Sequence, residues 1–265
     1  MERPGQDPIV FDLGTGLRNF GASVMDSSPT APFRGSMLLS HLHWDHVQGL
    51  PFFVPLHEPG ARVDVYGPRQ TEGSLDEVFT GLMRPPYFPI RPDQLEGAVS
   101  FQDAGDDDFA IGEAKVRSRW IRHVGPTLGY RVEWQGVAVA YLSDHGQGYG
   151  MGLPDDHVPD EVLELCDGVD LLIHDAQHTP EEFAQKRHWG HCTVDYAVHV
   201  AREAGSKTLA MFHHDPSHGD AEVDAMLRDA RDASARVNGA EVVAAAEGMV
   251  VRLPDHRPSH LRSLQ

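Results

Sequence analysis

The chain has 265 residues, 22 of them Lys or Arg and 40 Asp or Glu, for a formal net charge of −18. That length can bury a substantial core within one domain spanning 1–265, and the acidic balance repels long polyanions, so a duplex or tRNA partner is not expected. Its two cysteines, Cys166 and Cys192, lie far apart and outside any CxxC spacing, which excludes a disulfide framework and a thiolate zinc knuckle.

Residues 1–8 carry no apolar leader-like run and read as a tail. No stretch approaches the roughly 20 apolar residues of a membrane span. The expectation is a cytoplasmic protein with no membrane partner. Apolar runs at 9–13, 37–40, 63–66, 116–121, 128–134 and 137–142 predict strands, most of them separated by turn residues. The segment Ser40-His41-Leu42-His43-Trp44-Asp45-His46 follows the second run and packs three imidazoles and a carboxylate into six consecutive positions. His41 and His43 point the same way if strand geometry persists, and Asp45 and His46, past the bend, can address a second ion nearby. Residues 47–51 read as a tight turn or short helix.

Further along, the Pro-rich stretch Arg84-Pro85-Pro86-Tyr87-Phe88-Pro89 predicts a stiff, aromatic loop. Tyr87 and Phe88 are candidates to stack on a substrate base, and packing under a neighbouring strand is an equal alternative. Asp106-Asp107-Asp108 reads as a solvated loop, and the alternation of Lys115, Arg117 and Arg119 as a solvated strand face rather than a basic stripe at a substrate. Runs at 171–173 and 209–212 predict buried strands. Val194, Ala197, Val198 and Ala201 predict a helix capped by Thr193, and Val223, Met226, Leu227 and Ala230 predict another. Strands at 241–245 and 249–253 around Gly248 and a tail from 254 complete the chain. Sheets inside and helices outside give an α/β class.

A dinuclear centre needs about three more ligands beyond the first cluster, placed at other strand ends. His123, Asp144 and His213 each punctuate a predicted strand just before a turn. His214 duplicates the residue type beside His213. Imidazoles and a bridging carboxylate suit a pair of divalent ions, zinc first, with manganese or iron as alternatives.

These residues carry a resemblance to the metallo-β-lactamase superfamily, in its phosphodiesterase branch, which includes ribonuclease Z and bacterial cyclic-phosphate and cyclic-nucleotide phosphodiesterases. It runs through Phe11-Asp12-Leu13-Gly14-Thr15-Gly16, the His41 to His46 cluster, Val65-Tyr66-Gly67-Pro68, His123 before Leu128-Gly129-Tyr130-Arg131, and Ser143-Asp144. It continues through His174-Asp175-Ala176, Gly190-His191-Cys192-Thr193 and Phe212-His213. The resemblance implies a four-layer αββα sandwich of two mixed sheets flanked by helices; the chain departs from the branch in having only about eight residues before the strand at 9–13, which leaves one sheet expected to be a strand short. It implies that His41, His43 and His123 hold one ion, that Asp45, His46 and His213 hold the other, and that Asp144 bridges. Asp12 resembles the branch's early aspartate, which supports the site without touching metal. Asp175 and His191 resemble its acid dyad, although its ribonucleases usually carry glutamate where this chain has the shorter Asp175. The chain also lacks the long basic, Gly-rich insertion with which ribonuclease Z grips tRNA. The implied activity is hydrolysis of a small cyclic phosphodiester, such as a cyclic nucleotide or cyclic sugar phosphate, by a homodimer, with Asp45 orienting the attacking water and His191 protonating the leaving oxygen. A hydrolase of a carboxylic ester, lactone or lactam and a non-catalytic nucleotide-binding module are the alternatives.

Overall fold

The computed structural model describes residues 1–27, 31–148 and 154–254. The chain divides into two compact units, Met1–Gly105 and Asp106–Gln265.

The first unit contains, in order, β1 (Ile9–Phe11), α1 (Gly16–Ser27), β2 (Arg34–Leu38), the one-turn α2 (Trp44–Val47), two short 3-10 turns, β3 (Arg62–Pro68), α3 (Leu75–Leu82) and β4 (Ala98–Ala104). Its four strands pair in sequence order and every pair is parallel, so this sheet is not the mixed sheet that the resemblance implied. The connections explain it: a helix or turn segment carries the chain back across the sheet between successive strands, as parallel pairing requires. Leu13, Met37, Leu39, Val63 and Val65 pack with Leu17 of α1 and with Leu75 and Phe79 of α3 into one core. Helix α3 is not among the elements expected from the sequence, although Leu75, Val78, Phe79 and Leu82 follow the helical i, i+3, i+4, i+7 spacing. Its start is written locally too, since the Ser74 hydroxyl accepts from the Glu77 amide and the Glu77 carboxylate reaches back to Ser74. Residues 1–8 do not hang as a tail, because the Ile9 amide donates to the Met1 carbonyl at 3.0 Å and the Ser36 amide to the Pro8 carbonyl at 3.1 Å.

The second unit begins with a meander of β5 (Asp107–Ile111), β6 (Ala114–Trp120), β7 (Leu128–Trp134) and β8 (Val137–Leu142). It continues with α4 (Asp160–Cys166), β9 (Leu171–Asp175), α5 (Pro180–Lys186), α6 (Val194–Glu203), β10 (Thr208–Phe212), α7 (Asp220–Arg236) and β11 (Glu241–Ala244). The seven strands lie in the order β11-β10-β9-β8-β7-β6-β5, antiparallel from β5 to β8 and parallel from β8 to β11. This sheet is mixed. Strands β6, β8, β9 and β10 therefore all run the same way, and their carboxyl ends share one edge. Ala140, Leu142, Leu172, Leu209 and Met211 bury one sheet face against α4, α6 and α7. Thr193 caps α6 as expected, its hydroxyl accepting from the Tyr196 amide at 3.1 Å.

Two sequence expectations fail in this unit. Asp107 and Asp108 are solvated but belong to edge strand β5, where pairing with Ser118 and Arg117 overrides their poor strand preference. Arg117 and Arg119 are paired with Asp108 and Glu164, so that strand face is a surface ion-pair network. Residues 249–253 form no strand although they are apolar, since they pair with no strand among the described residues and Met249 to Val251 stand exposed. The tail expected from 254 lies, beyond Pro254, outside the described residues. No described helix is long and apolar enough to cross a membrane.

Candidate metal centre

In the first unit the His41 to His46 cluster sits at the carboxyl end of β2. The strand ends at Leu38, so His41 and His43 do not share a strand face; residues 39–43 are irregular and α2 begins at Trp44. They converge all the same, with ring centroids of His41 and His43 4.4 Å apart and those of His41 and His46 4.2 Å apart. Asp45 and His46 fall in the single turn of α2, which brings the His46 Nε2 to 3.2 Å from the Asp45 Oδ2.

Asp12, directly after β1, organises this cluster. Its Oδ1 accepts from the Ser40 amide at 2.6 Å, and its Oδ2 accepts from the Ser40 hydroxyl at 3.0 Å and from the His46 Nδ1 at 2.6 Å. The Ser40 hydroxyl also lies 3.0 Å from the His41 Nδ1. One buried carboxylate thus orients His46 directly and His41 through the Ser40 hydroxyl, each by its Nδ1 edge. Asp12 has a left-handed backbone, φ 58°, an uncommon conformation for a residue with a side chain. The segments touch backbone to backbone: a Cβ on Gly49 would lie 1.9 Å from the Gly14 carbonyl oxygen, so only glycine fits there.

In the second unit the candidate residues come from separate strands. Asp144 follows β8 by two residues, His213 follows β10 directly, and His123 lies three residues beyond β6. The shared direction of these strands puts them on one edge. Asp144 Oδ2 lies 3.5 Å from the His123 Nε2 and 3.4 Å from the His213 Nε2. His214 turns away, its Nε2 lying 3.2 Å from the Ala245 carbonyl oxygen. The His123 Nδ1 donates to the Gly190 carbonyl at 2.7 Å. A Cβ on Gly190, φ 80°, would come within 2.8 Å of that same Nδ1, which explains a glycine just before His191.

Asp175, at the end of β9, is fully buried and accepts from the His191 Nδ1 at 2.7 Å, the His145 amide at 3.1 Å and the Gln177 amide at 3.1 Å. The shorter aspartate therefore reaches its imidazole without difficulty. Burial pushes its carboxyl up, but the His191 hydrogen bond and the neighbouring imidazoles of His191, His213 and His174 outweigh that and hold it at about 2. His191 stacks on His213 with centroids 5.0 Å apart, and Asp144, His191 and His213 offer atoms that all lie within 4.8 Å of one another. Behind them the buried His145 is pushed down to about 3, by burial first and then by His174 beside it.

Sequence reasoning passed over Ser40, His145 and Gln177 as partners of the site residues. Ser40 and His145 each adjoin a singled-out residue, His41 and Asp144, and Gln177 had no such signal. The candidate substrate contacts divide: Phe88 is half-buried against the first core, 6.0 Å from the Phe52 ring, while Tyr87 is 70% exposed.

The side chains fit divalent metal. With Nδ1 of His46 and His123 committed to oxygen acceptors, Nε2 is the nitrogen left for an ion, and a buried carboxylate among imidazoles is the donor set that such ions take. A family profile described as "Beta-lactamase superfamily domain" matches residues 10–214. Ribonuclease Z of Haloarcula marismortui is 26% identical over 94% of this chain and 89% of its own length. Ribonuclease Z of Metallosphaera sedula is 29% identical over 84% of this chain and 83% of its own. Among solved structures, the metallo-beta-lactamase fold protein YhfI from Bacillus subtilis superposes with a TM-score of 0.66 at 18% identity, covering 93% of this chain and 87% of that one.

Fold and donor clusters together define a metal-dependent hydrolase. The chain belongs to the metallo-β-lactamase superfamily, in its phosphodiesterase branch. These relatives also correct one expectation, that no long nucleic acid would be a partner, because relatives matching most of this chain are named as ribonucleases. Net charge misled because it averages over the whole surface, whereas a phosphodiester meets the local field of a cation-bearing site.

Proposed function

We propose that this phosphodiesterase hydrolyses a small cyclic phosphodiester, a cyclic nucleotide or cyclic sugar phosphate, and that both units act as one metallo-hydrolase domain. The proposed ligands are His41, His43 and His123 for one zinc ion and Asp45, His46 and His213 for a second, with Asp144 shared. Superfamily membership supports this set, and so does the way the described imidazoles are held by their far nitrogens. When bound, such ions supply Lewis-acid polarisation of the phosphoryl oxygens and lower the pKa of water toward neutrality.

The chain's own groups do the rest. Asp45 orients the attacking water. Asp175 keeps the His191 Nδ1 proton in place, so that the His191 Nε2 carries a second proton only as imidazolium and delivers it to the departing sugar oxygen. The anionic Asp175 stabilises that imidazolium. The observation that carries the reading is the 2.7 Å bond between His191 and Asp175 at the same sheet edge as Asp144 and His213. A carbonyl substrate with a better leaving group has less need of such an acid. A second reading, cleavage of an RNA phosphodiester, is favoured by the relatives named ribonuclease Z.

The deciding experiment measures turnover of cyclic nucleotides, cyclic dinucleotides, cyclic sugar phosphates, an aryl phosphodiester, a precursor tRNA and a carboxylic ester, with metal content determined on the same sample. Preference for a cyclic monophosphate is the expected result. Turnover of the precursor tRNA alone selects the second reading, and cleavage of carboxylic esters alone discards both.

A further inference from the structure

Gln177 lies two residues beyond β9 and is buried. Its side-chain amide meets the His213 Nδ1 at 2.8 Å, and its backbone amide donates to Asp175 Oδ1 at 3.1 Å. One residue therefore ties the proposed metal ligand His213 to the carboxylate that holds His191. His213 itself has a left-handed backbone, φ 56°, so its ring position depends on outside contacts. We propose that Gln177 is a positioning residue for the metal: its Oε1 accepts the Nδ1–H of His213 and so fixes the ring with Nε2 toward Asp144.

The proposal rests on the reading that His213 binds metal, and it follows from proton accounting. A neutral imidazole that gives its Nε2 lone pair to an ion must carry its proton on Nδ1, and that proton needs an acceptor. His46 has the Asp12 carboxylate for this purpose and His123 has the Gly190 carbonyl. His213 has Gln177. In the structure Gln177 Nε2 faces the His213 Nδ1 and the buried Oε1 has no hydrogen-bond partner among the described residues, and the amide nitrogen and oxygen of glutamine exchange places with little change in shape. Presenting Oε1 to His213 satisfies both groups, whereas presenting Nε2 would oppose two donors once metal is bound. A carboxamide also holds the ring without adding a negative charge, unlike Asp12 on the other imidazole.

The test is the zinc affinity of the full-length chain, measured by chelator competition for wild type, Gln177→Leu and Gln177→Glu. Loss of such an outer partner weakens metal binding roughly 10- to 100-fold, which is the expectation for the more weakly held ion in Gln177→Leu. Gln177→Glu keeps the acceptor and should bind at least as tightly as wild type. In the zinc-loaded wild type, the imidazole ¹⁵N spectrum should show His213 protonated at Nδ1. Gln177→Met, an unbranched substitute, replaces the leucine variant if that one fails to fold. Zinc affinity of Gln177→Leu within twofold of wild type overturns the inference, as does equal weakening in Gln177→Leu and Gln177→Glu. Wild type that takes up no zinc overturns instead the reading on which it rests.

Discussion

The unit Met1–Gly105 carries His41, His43, Asp45 and His46 within six consecutive positions, whereas Asp106–Gln265 draws His123, Asp144, Asp175, His191 and His213 from five separate segments. The supports differ in the same way. In the first unit a single carboxylate, Asp12, reaches Ser40 and His46 directly, so one residue holds much of the cluster. In the second, each imidazole has its own partner: Gly190 for His123, Gln177 for His213, Asp175 for His191. A contiguous motif can rely on a local loop, but a dispersed site depends on strand register, because a slip of one residue would turn its side chains to the other face.

The largest effect should come from removing a ligand from either unit. His46→Ala and Asp144→Ala should each lower phosphodiester turnover on the order of 10⁴-fold, the rate equivalent of losing about 5 kcal/mol of ion-assisted stabilisation, with elemental analysis showing reduced metal content. A variant in one unit that keeps full activity would show that only the other unit's cluster matters. Next, His191→Ala should cost about 10²- to 10³-fold on a substrate with a poor leaving group while leaving metal content intact. The loss should shrink on an aryl phosphodiester, and equal losses on both would count against the proton-donor role.

A smaller effect separates the two kinds of support. Asp12→Ala, which releases two imidazoles at once, should weaken metal affinity by about 10- to 100-fold in chelator competition. Affinity unchanged by that substitution would mean that the loop holds its shape without the carboxylate. The smallest effect is on stability. Asp175 titrates in the folded protein at about 2, below its ordinary value of 3.8. Its contribution is therefore present above about pH 4 and disappears as pH falls through about 2, an amount of about 2 kcal/mol. Denaturant melts of metal-free protein across that range should show this acid limb, and Asp175→Asn should flatten it.

Legibility followed the same division. The strands 128–134 and 137–142 were readable to the residue because nearly all of their apolar positions are buried in a sheet interior. Helix α1 was not, since Gly16, Asn19 and Ser23 are weak helix formers and its stability comes from seating Leu17 and Gly21 against the first core. Edge strands β4 and β5 were missed because β4 is only half-buried and β5 opens on two exposed aspartates, so neither shows the clean alternation that marks a buried strand. The dyad was readable only through resemblance, since nothing in the spacing of Asp175 and His191 places them together.

The sequence by itself determined the chemistry available: the run from His41 to His46, the single histidines and aspartates punctuating strands, and the alternation that makes the second sheet. These are local properties, set by periodicity and by residue type. Tertiary structure alone decided that β6, β8, β9 and β10 end on one edge, that Gln177 meets His213, that His214 turns to Ala245, and that Gly190 lends its carbonyl to His123. The physical reason is that hydrogen bonds between groups tens of residues apart depend on strand order and register, which emerge only when the whole sheet pairs and its core closes.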